Sequence, residues 1–308
     1  MKIFNHTQLQ YTKKEKKTIP YKIKALNISL RNSKQKIPYT IIQTMKTNIV
    51  PEKMYKSAMS WVEKNPEYDY LFFDDQRCKQ FLKDEYPFEY YHLFEILGNG
   101  ATKADFFRWC YLYKKGGVYL DIDTICKVPL RKYIKPEYSF VSKMKPLKHF
   151  KKYYNSKYIV NNETFSRNTI PSRINHSILA TIKDTKVLKK CIQKAKNNIF
   201  KCYINKQNYK YPFYLCGPGL LGNVLNKMLN RHEFESFNTL LDTPKIDNEV
   251  IKIFPSEEID MYMNTKYNHY LSDCNEIQVK SYWNCPSFNY EKAKNHFLKN
   301  NLILRCNK

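Results

Sequence analysis

The fold of this chain is decided by the stretch Gly116-Gly117-Val118-Tyr119-Leu120-Asp121-Ile122-Asp123. The two glycines are typical of a helix C-terminus, and the apolar and aromatic residues after them predict a short buried strand. Because alternate side chains of a strand share a face, we expect Tyr119, Asp121 and Asp123 to point one way. Leu120 and Ile122 are then expected to point into the sheet.

The two aspartates of this stretch predict a site for a divalent cation. Asp121 and Asp123 would lie at the carboxyl end of a parallel strand, in the crevice where α/β sheets bind ligands. Carboxylate oxygens suit Mg²⁺ or Mn²⁺, and these ions usually share phosphate oxygens of a substrate. Bound there, such an ion offsets the charge on a departing diphosphate. An isolated Asp-x-Asp is common by chance, so the flanking glycines and strand residues carry the prediction.

A helix is predicted immediately upstream, from about Thr102 to Lys115. Asp105 and Arg108 are three residues apart on it, so both side chains can reach the same wall of a cleft. A guanidinium can hold a phosphate or a sugar hydroxyl in a forked contact, and a carboxylate can accept hydrogen bonds from sugar hydroxyls. The alternative interpretation is an ordinary ion pair on the helix surface.

Strands and helices alternate along the rest of the chain, which predicts an α/β fold with a largely parallel sheet. Strands are predicted at 39–44, 68–73, 118–122 and 250–254, and helices at 51–65, from 74, at 102–115, 175–197 and 220–229. The segment 143–169 has weak periodicity and is predicted to be a loop-rich insertion. Residues 1–36 carry ten Lys or Arg and one Glu, and we interpret them as a basic N-terminal extension before a single domain at 37–308.

Composition limits the class of protein. Of the 308 residues, 43% are hydrophobic, which is enough to form a core. The sequence contains no run of 18 apolar residues, so it predicts no membrane span. The first residues lack the pattern of a secretory signal. The nine cysteines are odd in number and irregularly spaced, which argues against a disulfide framework or a zinc site and favours a reducing compartment. The net charge of +25 suits an anionic ligand or surface, but a general drift of composition toward Lys, Asn, Ile and Tyr explains it equally well.

Several of these segments together resemble a known family, the DXD sugar-binding glycosyltransferases of glycosyltransferase family 32. The family includes the yeast initiating α-1,6-mannosyltransferases and, more distantly, the catalytic domains of clostridial glucosylating toxins. The resemblance is dense from residue 37 to about 130 and thinner later. It is carried by Ile37-Pro38, Gln43-Thr44, Asn65-Pro66-Glu67-Tyr68, Phe73-Asp74-Asp75, Ala104-Asp105-Phe106-Phe107-Arg108, the stretch 116–123, Asn175-His176-Ser177-Ile178, Gly217-Pro218-Gly219 and Ser281-Tyr282-Trp283.

The resemblance implies a GT-A (Rossmann-like) glycosyltransferase fold with a mixed, mainly parallel central sheet. It implies a metal-dependent, retaining enzyme that uses Mn²⁺ or Mg²⁺ and moves a hexose or N-acetylhexosamine. The donor would be a UDP- or GDP-linked sugar, and the acceptor a glycan hydroxyl in the synthesis of a surface polysaccharide or a glycoprotein glycan. Transfer to a protein hydroxyl stays open as an alternative.

Carried over position by position, the resemblance also implies site residues. Asp121 and Asp123 would bind the metal, and Ser281 and Trp283 would close over the diphosphate. The implied catalytic residues are Asp105, Arg108, Asp121 and Trp283. The implied donor-binding residues are Gln43, Thr44, Asp105, Arg108, Tyr119, Asp121, Gly217, Ser281 and Trp283. Two positions depart from the family pattern at the first strand, Ile42 for His and Met45 for Trp, and they leave the nucleotide base undetermined.

Other functions remain open at this stage. Charge and interleaved Tyr and Lys, as at 151–154, would suit a protein that binds polyanions, but no motif for specific nucleic-acid recognition is present. A degenerate transferase acting as a scaffold is a further alternative. His269 is interpreted as an ordinary loop residue. We expect a cytoplasmic protein of a bacterium, or one of a large DNA virus found in host cytoplasm or virions; peripheral contact with an acidic membrane stays open.

Overall fold

The structure is a computed structural model of the 308-residue chain. It describes residues 16–144, 158–160, 163–165, 174–208, 212–232, 235, 237, 243–255, 263–264 and 287–301. Within these ranges the cores, the central sheet and the helices on its faces are defined.

Fourteen strands are found in the described ranges, numbered in chain order. They are β1 Lys16–Thr18, β2 Lys22–Ile23, β3 Thr40–Thr44, β4 Ile49–Pro51, β5 Asp69–Phe73, β6 Gly117–Leu120, β7 Ile125–Cys126, β8 Phe140–Met144, β9 Tyr158–Val160, β10 Glu163–Phe165, β11 Ile174–Thr181, β12 Lys245–Ile246, β13 Glu249–Phe254 and β14 Met263–Asn264.

The helices of the same ranges lie mostly between strands. They are α1 Glu52–Lys64, α2 Asp75–Glu85, α3 Glu89–Ile96, α4 Gly100–Lys115, α5 Lys186–Ile204, α6 Pro212–Leu215, α7 Pro218–Met228 and α8 Tyr290–Lys299, with short 3-10 turns at Ile28–Leu30 and Leu130–Lys132. No described helix is both long enough and apolar enough to cross a membrane.

Among the described residues, eight strands form the central sheet in the order β12-β13-β8-β11-β6-β3-β5-β2. The β13–β8, β6–β3 and β3–β5 pairs are parallel, and the other four are antiparallel. The predicted α/β class with a mixed central sheet is therefore confirmed. Parallel pairing is concentrated in β3, β5 and β6, whose carboxyl ends lie at one edge of the sheet.

Each face of the sheet buries its own core. On one face, Ile42, Tyr119 and Leu179 pack with the apolar side of α4 and with α5 and α7. On the other, Ile41 and Leu120 pack with α1. Successive residues of β3 and β6 thus serve opposite cores, which is the alternation expected of a strand covered on both faces.

Local signals set the boundaries of α4, which was predicted from about Thr102 to Lys115 and is found at Gly100–Lys115. Asn99 caps α4 through its side-chain oxygen, which accepts from the backbone N–H of Thr102 at 2.8 Å. The helix ends at Gly116, at φ 67°, and Gly117 follows at φ 111°. A Cβ at Gly117 would lie 2.7 Å from the carbonyl oxygen of Thr40, so both backbone conformation and space require glycine there. The two glycines bring β6 directly against β3.

The predicted helix over 175–197 is wrong in its first part. Residues Ile174–Thr181 form β11, a central strand between β6 and β8, and the helix begins only at Lys186. Ile178 and Leu179 are buried on opposite faces of the sheet. A strand buried on both sides reads as a continuous apolar run, and periodicity cannot separate such a run from a buried helix.

Part of the predicted basic extension packs onto the sheet. β1 pairs with β4, β2 adds an antiparallel edge strand to β5, and Ile19 between them is fully buried. Residues 16–23 therefore contribute to the folded body. In the predicted insertion over 143–169, β9 and β10 pair as an antiparallel hairpin. The division of the chain at residue 37 stays a prediction.

Candidate active site

Arg108 is the centre of a buried charge network on α4. Its Nη2 lies 3.0 Å from Oδ1 of Asp105, one turn earlier, and 3.3 Å from Oδ1 of Asp121. Its Nη1 donates to the backbone carbonyl of His176 at 2.5 Å, and its guanidinium carbon lies 4.0 Å from the ring centroid of Tyr119. Only 4% of Arg108 is exposed, so the interpretation as a surface ion pair is wrong. The guanidinium instead joins the helix to the aspartate stretch.

His176 reinforces the position of Asp105. Its Nδ1 lies 3.3 Å from the same Oδ1 of Asp105 that contacts Arg108, and its ring packs edge-on against Trp109. Burial lowers the pKa of His176, against the opposing effect of the Asp105 carboxylate. A neutral imidazole that faces a carboxylate donates through Nδ1–H. Asp105 is thus held from two sides.

An irregularity in the pairing of β11 lies beside these contacts. The pairing of β11 with β8 shifts register between Asn175 and Ala180. There the carbonyl of His176 accepts from Arg108, while the carbonyl of Ser177 accepts from the backbone N–H of Asp121 at 3.0 Å. Bulges of this kind often re-aim groups beside functional sites. Sequence reasoning gave His176 no role because the segment was predicted to be helical; its run of apolar residues was the available signal for a buried strand.

Asp121 and Asp123 lie on a turn, not on the strand. β6 ends at Leu120, and the carbonyl of Asp121 accepts from the backbone N–H of Thr124 at 3.1 Å, which closes the turn. The strand alternation still holds through Asp121, whose carboxylate is on the α4 side with Tyr119. The expectation that Asp123 lies on the strand and points to the same face as Tyr119 and Asp121 is wrong, because the strand ends at Leu120. The turn places both aspartates past the carboxyl end of β6.

Polar side chains form hydrogen bonds to the backbone carbonyls of this turn. The carbonyl of Asp121 also accepts from Nε2 of Gln43 at 3.1 Å and from Oγ1 of Thr124 at 2.6 Å. The hydroxyl of Tyr70 donates to Oε1 of Gln43, and Nε1 of Trp61 donates to the carbonyl of Thr124. Gln43 is fully buried. Its observed contacts position the aspartate turn, and its predicted contact with a donor stays a prediction.

Tyr119 and Thr44 lie under the site. The Tyr119 hydroxyl is 3.3 Å from Oγ1 of Thr44, and the tyrosine is almost fully buried beneath the guanidinium of Arg108. Burial raises the pKa of Tyr119 far above its usual range, so the phenol is neutral. Both residues support Arg108 from below, and their predicted donor contacts remain to be tested.

Of the later site residues, only Gly217 is described. It precedes α7 as a buried N-cap residue, beside Cys216, whose Sγ lies 3.5 Å from the carbonyl oxygen of Thr102 in α4. Burial raises the pKa of Cys216, and the charge of Asp105 adds to that effect. The segment before α7 thus lies near the Asp105 side of the network. Ser281, Trp283 and His269 lie outside the described residues.

The electrostatics of the aspartate turn fit a divalent cation. Burial, with the charge of Asp105 adding to it and Arg108 opposing it, raises the pKa of Asp121. Burial and then the neighbouring Asp121 carboxylate raise the pKa of Asp123 to about 7. Two such carboxylates favour a cation between them. The described residues contain no cluster of three or more His, Cys, Asp or Glu for a metal. Mg²⁺ and Mn²⁺ bound by one or two carboxylates usually keep water and substrate phosphate oxygens as their other ligands.

The raised pKa of Asp123 predicts how the metal-free protein responds to pH. The folded state binds this proton more tightly than the unfolded chain, where the pKa is 3.8. The favourable contribution is present below about pH 4 and is lost as the pH rises through about 7. Asp123→Asn stays neutral at every pH. In EDTA, its melting temperature should exceed that of the wild type, and more so at pH 8 than at pH 5, with each 1 kcal/mol giving about 2–4 °C.

The control for this titration is Asp84→Asn, because Asp84 is an exposed residue of α2. The difference between that variant and the wild type should be small and nearly the same at pH 5 and pH 8. If Asp123→Asn also shows a pH-independent difference, the raised pKa of Asp123 is wrong.

Comparison with known proteins agrees with this geometry. Residues 51–141 match the family model described as "Glycosyltransferase sugar-binding region containing DXD motif". That range contains Asp105, Arg108, Asp121 and Asp123. The segment is thus similar to the sugar-binding region of DXD glycosyltransferases. The predicted resemblance is confirmed, and the matched range contains a single Asp-x-Asp triplet, Asp121-Ile122-Asp123.

Curated relatives of this chain include fungal mannosyltransferases. Inositol phosphoceramide mannosyltransferase 3 of Schizosaccharomyces pombe is 27% identical over 197 residues, which cover 63% of this chain and 46% of that protein. The initiation-specific alpha-1,6-mannosyltransferase of Candida albicans is 33% identical over 103 residues, which cover 32% of this chain and 27% of that protein. The chain thus spans less than half the length of either relative. A viral or bacterial origin stays a prediction.

A solved structure, the PaToxG glycosyltransferase, is also similar to this chain. The superposition covers 64% of this chain and 71% of that one, with a TM-score of 0.43 and 16% sequence identity.

Proposed function

We propose that this protein is a metal-dependent, retaining GT-A glycosyltransferase. It would move a hexosyl or N-acetylhexosaminyl group from a nucleotide-diphosphate sugar to a glycan hydroxyl. The observation that carries the proposal is the Arg108 bridge, which joins Asp105 to Asp121 beside Asp123 within the DXD region. The carboxylates of Asp105 and Asp121 thereby share the buried guanidinium of Arg108 at the carboxyl edge of the parallel strands.

Each residue of the network has a proposed task. Asp123, with Asp121, would hold Mn²⁺ or Mg²⁺, which when bound offsets the charge of the leaving diphosphate. Asp105 would accept hydrogen bonds from donor sugar hydroxyls, and Arg108 would orient both aspartates. His176 is a positioning residue, because it contacts Asp105. Ser281 and Trp283 are proposed to meet the diphosphate, where an indole N–H can donate to a leaving oxygen.

The contacts of Asp105 also bear on stereochemistry. A carboxylate bound by a guanidinium and an imidazole N–H has its charge partly compensated, which makes it a poor covalent nucleophile. This supports a retaining route on a single face of the sugar, in which the leaving diphosphate assists the incoming hydroxyl. Lowering the energy of the charged leaving group would then account for most of the rate enhancement.

Mannose is the first donor sugar to consider. The names of the two fungal relatives both specify mannosyl transfer. We therefore propose a nucleotide-diphosphate mannose as the leading donor, with other UDP- and GDP-linked hexoses as competitors. Transfer to a protein hydroxyl would use the same donor site and differ only in the acceptor.

The test of the proposed function is hydrolysis of a donor panel. The full chain is incubated with GDP-mannose, UDP-glucose, UDP-galactose or UDP-N-acetylglucosamine, each with Mn²⁺, with Mg²⁺ or with EDTA. We expect release of free sugar and nucleoside diphosphate from one donor, and only with metal. No turnover of any donor, together with no donor-induced rise in melting temperature, would overturn the proposal.

A further inference from the structure

A surface turn far from the aspartates exposes three large apolar side chains. Leu26 is 73% exposed, Ile28 66% and Leu30 41%, all within five residues around the 3-10 turn Ile28–Leu30. We call residues 24–31 the apolar turn. Single exposed apolar residues are ordinary on protein surfaces, but clusters of them mark interaction sites. A clustered, protruding set of this kind is suited to insertion into an apolar medium.

The apolar turn is held in one conformation by its backbone. The N–H groups of Leu26 and Asn27 both donate to the carbonyl of Pro66, and the N–H of Ala25 donates to Oδ1 of Asp69. At its far end, Nε of Arg31 donates to the carbonyl of Glu67 at 2.8 Å. The exposed side chains are therefore presented by a rigid support, which lowers the conformational entropy lost on binding.

The surroundings of the apolar turn are strongly basic. Residues 16–36 contain seven Lys or Arg and no Asp or Glu. The exposed lysines in and beside the turn are Lys22, Lys24, Lys34 and Lys36. Two nearby acidic side chains are already paired, Asp69 with Arg31 and the buried Glu67 with Arg131.

A second basic segment, residues 131–137, lies against the end of segment 16–36. Lys36 donates its N–H to the carbonyl of Pro136. That segment exposes Lys132 and Lys135, opposed by the exposed Glu137. Exposed apolar side chains surrounded by lysines are complementary to a layer with anionic groups at its surface and an apolar interior beneath them.

We propose that the apolar turn docks this protein on an anionic lipid bilayer. Leu26, Ile28 and Leu30 enter the boundary between headgroups and acyl chains, while the lysines meet acidic headgroups. Insertion of a few side chains or a basic patch alone gives only weak, reversible attachment, whereas two signals together hold a protein at a membrane. The charge complementarity selects this partner over a second copy of the chain, which would bring like charges together.

The fold also sets the orientation of the docked protein. The apolar turn lies at the amino end of β5, whereas Asp121 and Asp123 follow the carboxyl end of β6, and both strands run parallel to β3. The two sites are thus at opposite ends of the same parallel strands. Docking leaves the aspartate turn facing away from the bilayer, so attachment and catalysis are separable. The inference does not depend on the proposed function.

Vesicle sedimentation with the full chain tests this inference. The probes are vesicles of phosphatidylcholine alone and of phosphatidylcholine with 30% phosphatidylserine, each at 0.1 M and 0.5 M NaCl. The wild type should bind the anionic vesicles at least tenfold more tightly than the neutral ones and lose most of that preference at high salt. Lys22→Gln, Lys24→Gln, Lys34→Gln and Lys36→Gln should each weaken binding up to about fivefold, the effect of 1 kcal/mol per charge.

The apolar contribution is tested by a triple variant, Leu26→Ser, Ile28→Ser and Leu30→Ser. Its binding to anionic vesicles should fall at least tenfold with an unchanged melting temperature, because the replaced side chains are exposed. The matched control is Leu298→Ser on α8, since Leu298 is 66% exposed like Ile28 but lies outside the turn. Unaltered binding by the triple variant would overturn the proposal. So would a wild type that ignores charged vesicles, or that dimerises in solution through the turn.

Discussion

Replacing Asp123 with alanine should lower metal-dependent donor hydrolysis by at least about 10²–10³-fold, the loss typical when one stabilising group of a transition state is removed. The residue lies on the turn after β6, beside Asp121, and burial raises its pKa to about 7. A carboxylate in that setting favours a divalent cation. Without it, the turn keeps one carboxylate, and that one is already shared with Arg108.

This loss should occur without a loss of folding. Removing a carboxylate whose charged form is disfavoured leaves the metal-free protein at least as stable at pH 8. Hydrolysis is measured with the donor that the wild type turns over, across a Mn²⁺ titration, and stability by thermal melting in EDTA. The control is Asp84→Ala, an exposed aspartate of α2, which should behave as the wild type. Full hydrolysis by Asp123→Ala would remove this residue from the proposed metal site.

Arg108→Met should destabilise the protein by about 3–5 kcal/mol and abolish activity. Removing one member of a buried ionic network leaves the remaining charges uncompensated, and here both Asp105 and Asp121 would lose their guanidinium. The carbonyl of His176 would lose a donor as well. The measurement is the free energy of unfolding from urea denaturation at pH 7.5, followed by the hydrolysis assay.

Two further variants show whether the buried charge is the cause. Arg77→Met replaces an exposed arginine of α2 whose guanidinium lies over the ring of Tyr21, and it should cost no more than about 1 kcal/mol, the value of an exposed cation–π contact. The double variant Asp105→Asn with Arg108→Met removes a carboxylate together with its cation. It should be more stable than the sum of the two single effects predicts, because the residues share one network. Strict additivity would contradict the proposed coupling between Asp105 and Arg108.

Several parts of the fold were predictable because their causes are local. Asn99 caps α4 through its own side chain, Asp74 caps α2 in the same way, and two glycines end α4 with positive φ. Each signal acts within a few residues, so it reads directly from the sequence. The spacing of Asp105 and Arg108 on a helix likewise predicted that both would meet on one side.

The helix prediction over 175–197 failed in its first part for a reason that is not local. Ile174–Thr181 is a strand because it lies between β6 and β8 and is buried on both faces. Its apolar residues satisfy a helix or a buried strand equally well, and only the neighbouring strands choose between them. The carbonyls of His176 and Ser177, which accept from Arg108 and Asp121, are likewise placed by this strand and its neighbours.

The sequence by itself determined the chemistry available to this protein: two aspartates after a glycine-led strand, and an Asp and an Arg one helical turn apart. Only the tertiary structure decided how that chemistry is arranged. In the folded protein, Arg108 is buried between the carboxylates of Asp105 and Asp121. His176 contacts Asp105 from 71 residues away in the sequence, and Gln43 donates to the backbone carbonyl of Asp121. The physical reason is burial. Away from water, each charged or polar group needs a partner, and the partners come from strands distant in the chain.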